Sequence, residues 1–421
     1  MGKKMYVLTA LVMSLAIVMP LAARGSSDSG KPDKPVLTLG SWRADDVAGW
    51  TALLSEYKKN TGVEIQFKPI NPPDYNATLR LQLESGTGPD LMFARSYDTG
   101  IELFKLGHFA DVGGLKGLKE NFTEGNRSPW VTAEGKHFAI PLFAVVQSVF
   151  YNKDIFAKLG LKVPATWEEF LVVADKIQKA GITPIANGLA EEWDINECFM
   201  MGILPAFTGS REGRLAYESG KTPFNDAKMV KAFQAMADVA KYAPRGFEAL
   251  TYNDSNALFA TGQAAMYADG SWTLDTFKDV SFNWGNFAFP APTGSKPAIT
   301  FHADAGLTMN AKTKYPAEAK AFLEWLCTPA GATVAAKYLP NGFYPMINAN
   351  IKIEDAHSAE LYALIQGKDQ DIRFTWPRLM SGDPSGYVLL NQGVISVMKG
   401  QITAQKAADD LAAGLAKWYR P

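Results

Sequence analysis

The sequence predicts an α/β protein in which strands form a parallel sheet with helices on its faces. Two observations carry that class. β-prone runs alternate with amphipathic helical segments from Val36 onward, and the breaks between them contain glycine. Composition agrees: 47% of the 421 residues are hydrophobic and 20% charged, enough for two or three domains, each with its own core.

Taken in order, Val36-Leu37-Thr38-Leu39 is a short β-prone run. Asp45 to Asn60 follows, with Val47, Trp50, Leu53, Leu54 and Tyr57 at helical spacing, and Asn60-Thr61-Gly62 stops it. Val63 to Phe67 alternates as a half-buried strand should. Asp74 to Glu84 reads as a helix, Ser85-Gly86-Thr87-Gly88-Pro89 breaks it, and Asp90 to Ala94 is the next strand. Further on, Thr166 stands as an N-cap with Glu169 three residues later, a capping-box pattern. Phe170, Leu171, Ala174 and Ile177 mark the buried face of that helix, and Gly181 ends it. Ala257 to Gly262 reads as another helix terminus, and Ala264 to Ala268 as a strand running into the turn Asp269-Gly270-Ser271-Trp272.

Ligands of parallel sheets bind beyond the carboxyl ends of the strands. That rule singles out Ser41-Trp42-Arg43, Arg95-Ser96-Tyr97-Asp98 and the Asp269–Trp272 turn.

At the N-terminus, Lys3 and Lys4 precede an apolar run from Met5 to Ala23 broken only by Thr9, Ser14 and Pro20. It reads as an export signal spanning residues 1–23, cleaved just after Ala23. Residues 24–35 have the Gly/Ser/Pro composition of a flexible tether. No later stretch reaches a membrane-spanning length without charges, so a soluble mature chain is expected.

Charge excludes a general nucleic-acid footprint, because 42 Lys+Arg stand against 43 Asp+Glu for a net charge of −1. Two cysteines, Cys198 and Cys327, cannot build a disulfide scaffold, and spacing does not say whether they pair. His108, His137, His302 and His357 are scattered, with no pair at the spacing of a zinc site. A Gly-x-Ser-x-Gly elbow, a phosphate-binding Gly-x-x-x-x-Gly-Lys loop and a Gly-x-Gly-x-x-Gly fingerprint are absent. Neither a metal nor an organic cofactor is expected.

Several segments occur in the order of one family: Tyr57-Lys58-Lys59-Asn60-Thr61-Gly62-Val63-Glu64-Ile65, Pro73-Asp74-Tyr75-Asn76-Ala77-Thr78-Leu79 and Ser85-Gly86-Thr87-Gly88-Pro89-Asp90-Leu91. Ile140-Pro141-Leu142, Phe150-Tyr151-Asn152-Lys153, Pro164-Ala165-Thr166-Trp167, Phe259 through Trp272, and Ala321-Phe322-Leu323-Glu324-Trp325-Leu326 continue the series. The sequence thereby resembles the family 1 extracellular solute-binding proteins, the sugar-binding components of ABC importers. The resemblance implies a two-lobed periplasmic-binding-protein fold of type II-like topology, with a ligand cleft between lobes joined by a hinge. Lobe one would comprise roughly residues 36–145 and 298–345, and lobe two 146–297 and 346–421. It further implies an extracytoplasmic monomer that closes on a carbohydrate and docks on membrane permease subunits. In lipid-anchored relatives a cysteine follows the Leu-Ala-Ala triplet; here Arg24 stands there, so a free protein is expected.

A pyranose has an apolar C–H face and a rim of hydroxyls, so its site needs aromatic platforms with carboxylates, amides and arginine. The resemblance and the strand-end positions together select Trp42, Arg43, Arg95, Ser96, Gln147, Glu192, Trp193, Asp269, Trp272, Asp304 and Trp376 as ligand-binding candidates. For each tryptophan the competing role is core packing. Trp50, Trp167 and Trp325 lie on apolar helix faces and are expected in the core. Two rivals remain open in the sequence. A carbohydrate-active enzyme would need paired carboxylates, and Glu191-Glu192-Trp193-Asp194 supplies acids beside an aromatic without fixing their separation. Alternatively the same fold would bind an acidic sugar, a phosphorylated polyol or a peptide, using Arg43 and Arg95.

Overall fold

The computed structural model describes residues 35–421. The expected export signal and the tether through residue 34 lie outside the described residues. Ten strands occur in chain order: β1 (Val36–Ser41), β2 (Glu64–Pro69), β3 (Leu91–Arg95), β4 (Ile140–Asn152), β5 (Thr183–Ile185), β6 (Ala264–Gly270), β7 (Trp284–Phe287), β8 (Ala298–Met309), β9 (Tyr344–Pro345) and β10 (Asp369–Asp371).

The first part follows the expected alternation. β1 pairs in parallel with β2 (Leu37 opposite Ile65) and with β3 (Leu39 opposite Leu91). Helix Val47–Thr61 crosses between β1 and β2, burying Trp50, Leu53, Leu54 and Tyr57, four of the five residues its spacing picked out; Val47, in the first turn, is exposed instead. Gly62 ends it at φ 74°, a left-handed geometry that glycine adopts without a Cβ clash. Helix Pro72–Ser85 returns the chain to β3.

A wholly parallel sheet does not result. β8 runs antiparallel beside β3, from Leu91 opposite Met309 to Arg95 opposite Ala305, and β4 runs antiparallel beside β8. The reason is long-range: β4 and β8 are joined by a long excursion that reverses direction, so they meet head to tail. β4 is shared. Its residues Ile140–Val146 pair with β8, while Gln147–Tyr151 pair with β6, and β5 lies parallel to β6. β7 and β9 add to β4, and β10 to the first three residues of β8.

Packing follows this division. One core gathers side chains such as Leu37, Trp50, Phe93, Phe143, Leu307 and Phe322. A second gathers Trp167, Phe170, Phe199, Phe233, Leu390 and Leu411. A smaller third, with Phe150, Phe259, Phe277 and Trp284, fills space beside β4 and β6. Cys198 and Cys327 are buried free thiols in different surroundings.

Local signals were read with one correction. Thr166 Oγ1 accepts from the Glu169 amide at 3.2 Å, as an N-cap should. The Glu169 carboxylate instead reaches back to the Ala165 amide (2.8 Å), so the box does not close on the cap residue. A closed capping box occurs at Thr251 and Asp254, opening helix Tyr252–Ala260. Among the described residues no helix is long and apolar enough to cross a membrane.

Candidate functional site

A ring of contacts joins the ends of β4 and β6 to three other segments. Its aromatic arc starts at Trp272, directly beyond β6. The Ser271 hydroxyl accepts from the Val146 amide (3.0 Å) and donates to the Gly342 carbonyl (2.5 Å), which pins the point where the chain leaves the strand. Gly270 has to be glycine, because a Cβ there would lie 1.9 Å from the Trp272 ring. Trp272 Nε1 donates to the Tyr252 hydroxyl (3.2 Å), and that hydroxyl donates to Asp269 Oδ2 (3.1 Å). The capping box at Thr251 sets Tyr252 as the first residue of its helix. The Trp193 and Tyr252 rings lie 4.1 Å apart.

The polar arc continues from Glu192, next to Trp193. Glu192 Oε2 accepts from Asn391 Nδ2 at 3.0 Å. Asn391 sits one turn after Tyr387 on helix Gly386–Met398, and the Tyr387 hydroxyl donates to Glu197 Oε1 at 3.0 Å. Glu197 belongs to the π-helical segment Asp194–Met200, a geometry that is frequent at functional sites because it frees backbone carbonyls. The Glu197 carbonyl accepts from Gln147 Nε2 at 2.6 Å. Arg373 closes the ring: its Nη1 lies 3.1 Å from Glu197 Oε2 and 3.1 Å from Asp304 Oδ1, and its guanidinium stands over Trp272 and Trp376 at 5.4 and 5.1 Å.

Asn196 joins the cluster by donating from Nδ2 to the Tyr387 carbonyl (3.4 Å), and five buried polar atoms of the cluster have no partner among the described residues: Gln147 Oε1, Trp193 Nε1, Asn196 Oδ1, Arg373 Nε and Asn391 Oδ1. An unpaired buried polar group costs about 1–3 kcal/mol and folded proteins keep few of them. Three acceptors and two donors suit a ligand that both donates and accepts hydrogen bonds.

Electrostatics are tight. Burial pushes the Asp269 carboxyl up to about 6, against bonds from the Cys198 thiol, the Gly270 amide and Tyr252. Asp194, behind it, is pushed up to about 8 by burial and by the Asp269 charge. It accepts from Asn187, Ser255 and Gly188. Burial works against the Arg373 charge, but Glu197 and Asp304 more than offset it and raise its pKa. His302 is held well below its ordinary value by burial and by Arg373, and so is neutral at pH 7. His302 ties Ser96 to the cluster: Nε2 lies 3.4 Å from Ser96 Oγ, while Nδ1 accepts from the Arg373 amide at 3.3 Å.

Of the residues singled out in the sequence, Gln147, Glu192, Trp193, Asp269, Trp272, Asp304 and Trp376 meet in this cluster, and Ser96 joins it through His302. Trp376 is 5% exposed and packs edge-on to His302 and Tyr387. Trp42 is 4% exposed, in the first core, with edge contacts to Tyr75 and Phe93. The Arg95 guanidinium covers the Trp42 ring at 3.7 Å. Arg43 is paired with Asp46 and lies over Phe343. Trp50 and Trp167 are core, as their helix faces indicated.

Sequence reasoning missed Tyr252, Glu197, Arg373, Tyr387 and Asn391. Two of them carried a readable signal. Tyr252 follows Thr251 in a Thr-x-x-Asp cap, and Asn391 is a polar residue within an apolar helix. Arg373 carried none, because its position depends on β10 pairing with β8.

Comparison with known proteins agrees with this architecture. The chain is similar to the multiple sugar-binding protein of Streptococcus mutans, 26% identical over 335 residues that cover 76% of this chain and 78% of the relative. It is also 29% identical over 296 residues to the sn-glycerol-3-phosphate-binding periplasmic protein UgpB of Brucella abortus, covering 64% of this chain and 68% of that one. Among solved structures, the solute-binding protein RafE in complex with raffinose superposes with a TM-score of 0.75 at 23% identity, over 92% of this chain and 100% of RafE. The shared fold is the two-lobed one of periplasmic solute-binding proteins. Residues 40–333 match the profile of the bacterial extracellular solute-binding proteins, and the chain belongs to that family.

Proposed function

We propose that this protein captures a neutral mono- or oligosaccharide outside the cytoplasm and delivers it to the permease of an ABC importer. The observation that carries the reading is the group of five unpartnered buried polar atoms set among Trp193, Tyr252 and Trp272. Aromatic faces meet the C–H face of a sugar, and amide and carboxylate acceptors meet its hydroxyls. Relatives named for sugars support the same class.

The lobes we assign are residues 36–145 with 298–345, and 146–297 with 346–421, in keeping with two separate large cores. Closure of such lobes around a ligand is a rigid-body change that a permease can sense. The chain acts as a monomer without catalysis, free of lipid because Arg24 stands where an acylated cysteine would be. Within the site, Trp272, Trp193, Gln147, Glu192, Asp269 and Asp304 are the candidates nearest the ligand. Trp42 and Trp376 serve it from behind as packing.

A thermal-shift screen of the exported protein against neutral saccharides, uronates, sugar phosphates, polyols and short peptides tests the reading, with product analysis of every hit. A ligand at a hundred times its dissociation constant adds about 2.7 kcal/mol of stability. A saccharide that raises the midpoint and is recovered intact is the expected result. Cleavage of the saccharide would make the protein an enzyme, and a shift with phosphates or peptides alone would replace the ligand class.

A further inference from the structure

One short segment grips the chain at two places where the assigned lobes meet. The 3₁₀ segment Ser271–Phe277 follows β6 and carries Trp272. At its first residue the Ser271 hydroxyl accepts from the Val146 amide at 3.0 Å. Val146 is the last residue of β4 paired with β8, and Gln147 is the first paired with β6, so this bond sits at the changeover of the shared strand. The same hydroxyl donates to the Gly342 carbonyl at 2.5 Å. Four residues on, the Asp275 carboxylate accepts both from the Asn341 amide (Oδ2, 3.1 Å) and from Asn341 Nδ2 (Oδ1, 2.8 Å).

The two sides of this grip belong to different parts of the core. Leu339 and Phe343, flanking Asn341, pack with the first core, whereas Leu274 and Phe277 pack with the third, beside β6. The contact leaves no room to slide: Gly342 has φ 84°, and a Cβ there would lie 1.8 Å from the Ser271 carbonyl oxygen. Helix Ala356–Ala363 holds the same stretch from another side, where the Gly342 amide donates to Ser358 Oγ (3.1 Å) and the Tyr344 hydroxyl to the Ser358 carbonyl (2.9 Å). A point held in this way resists translation, and rotation about it is the motion left to the lobes.

We propose that Asp275 is a positioning residue for ligand capture. By holding Asn341 it fixes the pivot on which the lobes turn. Trp272 lies between Ser271 and Asp275 on the gripping segment, so its aromatic face and the lobe angle are set together. The proposal rests on the lobes and the site assigned above.

The test reads the lobe angle in the absence of any ligand. Spin labels on Lys59→Cys and Lys176→Cys, exposed helix positions with one in each assigned lobe, give an interlobe distance distribution by pulsed electron paramagnetic resonance. The native thiols of Cys198 and Cys327 are buried. Asn341→Asp sets a second carboxylate against Asp275 and breaks the Nδ2 bond, and the distribution should widen by about twofold or more as further lobe angles become populated. Exchanging the pair, Asp275→Asn with Asn341→Asp, restores both bonds, because the amide oxygen at position 275 accepts from the backbone and its NH₂ donates to the carboxylate at position 341. The width should then return to that of the labelled parent.

If circular dichroism shows Asn341→Asp to be unfolded, Asn341→Ala, which drops the same bond without adding charge, takes its place with the same expectation. A folded single variant with an unchanged distribution overturns the proposal, as does an exchange variant that stays as wide as the single one. A chain that binds no saccharide in the thermal-shift screen loses the proposed function alone, while the ligand-free distances still decide the role of Asp275.

Discussion

Two tryptophans stand directly beyond strand ends, Trp42 after β1 and Trp272 after β6, and their surroundings differ. Trp42 turns back into the first core, where Tyr75 and Phe93 meet it edge-on at 5.3 and 5.1 Å and Arg95 lies across its ring. Trp272 stays half-buried, its indole N–H held by Tyr252 and its ring under Arg373. Topology offers both positions to a ligand. Neighbours from distant parts of the chain decide which side chain keeps a free face.

The widest separation between the two should come from truncation. Trp42→Ala is expected to cost about 3–5 kcal/mol of folding stability, as for a large aromatic removed from a core, read as a large fall in the thermal midpoint. Trp272→Ala should instead cost about 1–3 kcal/mol of saccharide binding, with a much smaller change in midpoint. Equal losses of stability in the two variants would erase the distinction.

A finer cut is Tyr252→Phe. It removes one hydrogen bond to a buried carboxylate and the acceptor for Trp272 Nε1, so about 1–2 kcal/mol of stability should be lost. Saccharide affinity should fall as well if Tyr252 holds Trp272 in place. An unchanged affinity would mean that Trp272 is held by Ser271 and Gly270 alone.

A pH dependence is also expected from the Trp272 side. Asp194 has a folded pKa of about 8 against an ordinary value of 3.8, because burial disfavours its charged form. The folded chain therefore binds this proton more tightly than the unfolded chain does, and stability falls as pH rises through that window. Asp269, at about 6 when folded, contributes in the same direction over the lower part of the range. The midpoint should rise as pH is lowered from 8 towards about 6.5, below which the buried neutral His302 works in the opposite direction, and Asp194→Asn should flatten the slope. A midpoint that climbs with pH would contradict the assignment.

The contrast also marks what a sequence can carry. Trp50, Leu53, Leu54 and Tyr57 were legible because helical spacing is a local property, and so was the strand that runs into Asp269 and Trp272. The antiparallel course of β8 was not, since its run Ala298–Met309 has His302 and Asp304 inside it and lacks a continuous apolar pattern. Part of the site was lost for the same reason. Arg373 gains its meaning only when β10 pairs with Ala298–Thr300 and brings it to Glu197 and Asp304. Glu197 gains its place only when the π-helical segment Asp194–Met200 turns it towards Tyr387.

β8 has a temporal consequence as well. β3 is made early in synthesis, yet its neighbour β8 is made roughly two hundred residues later, and β4 waits for the same strand. At a ribosomal rate of 5–20 residues per second that delay is roughly 10–40 s. Loop closure over such separations is slow in its own right. The first core therefore cannot be completed on a nascent chain that ends before residue 298.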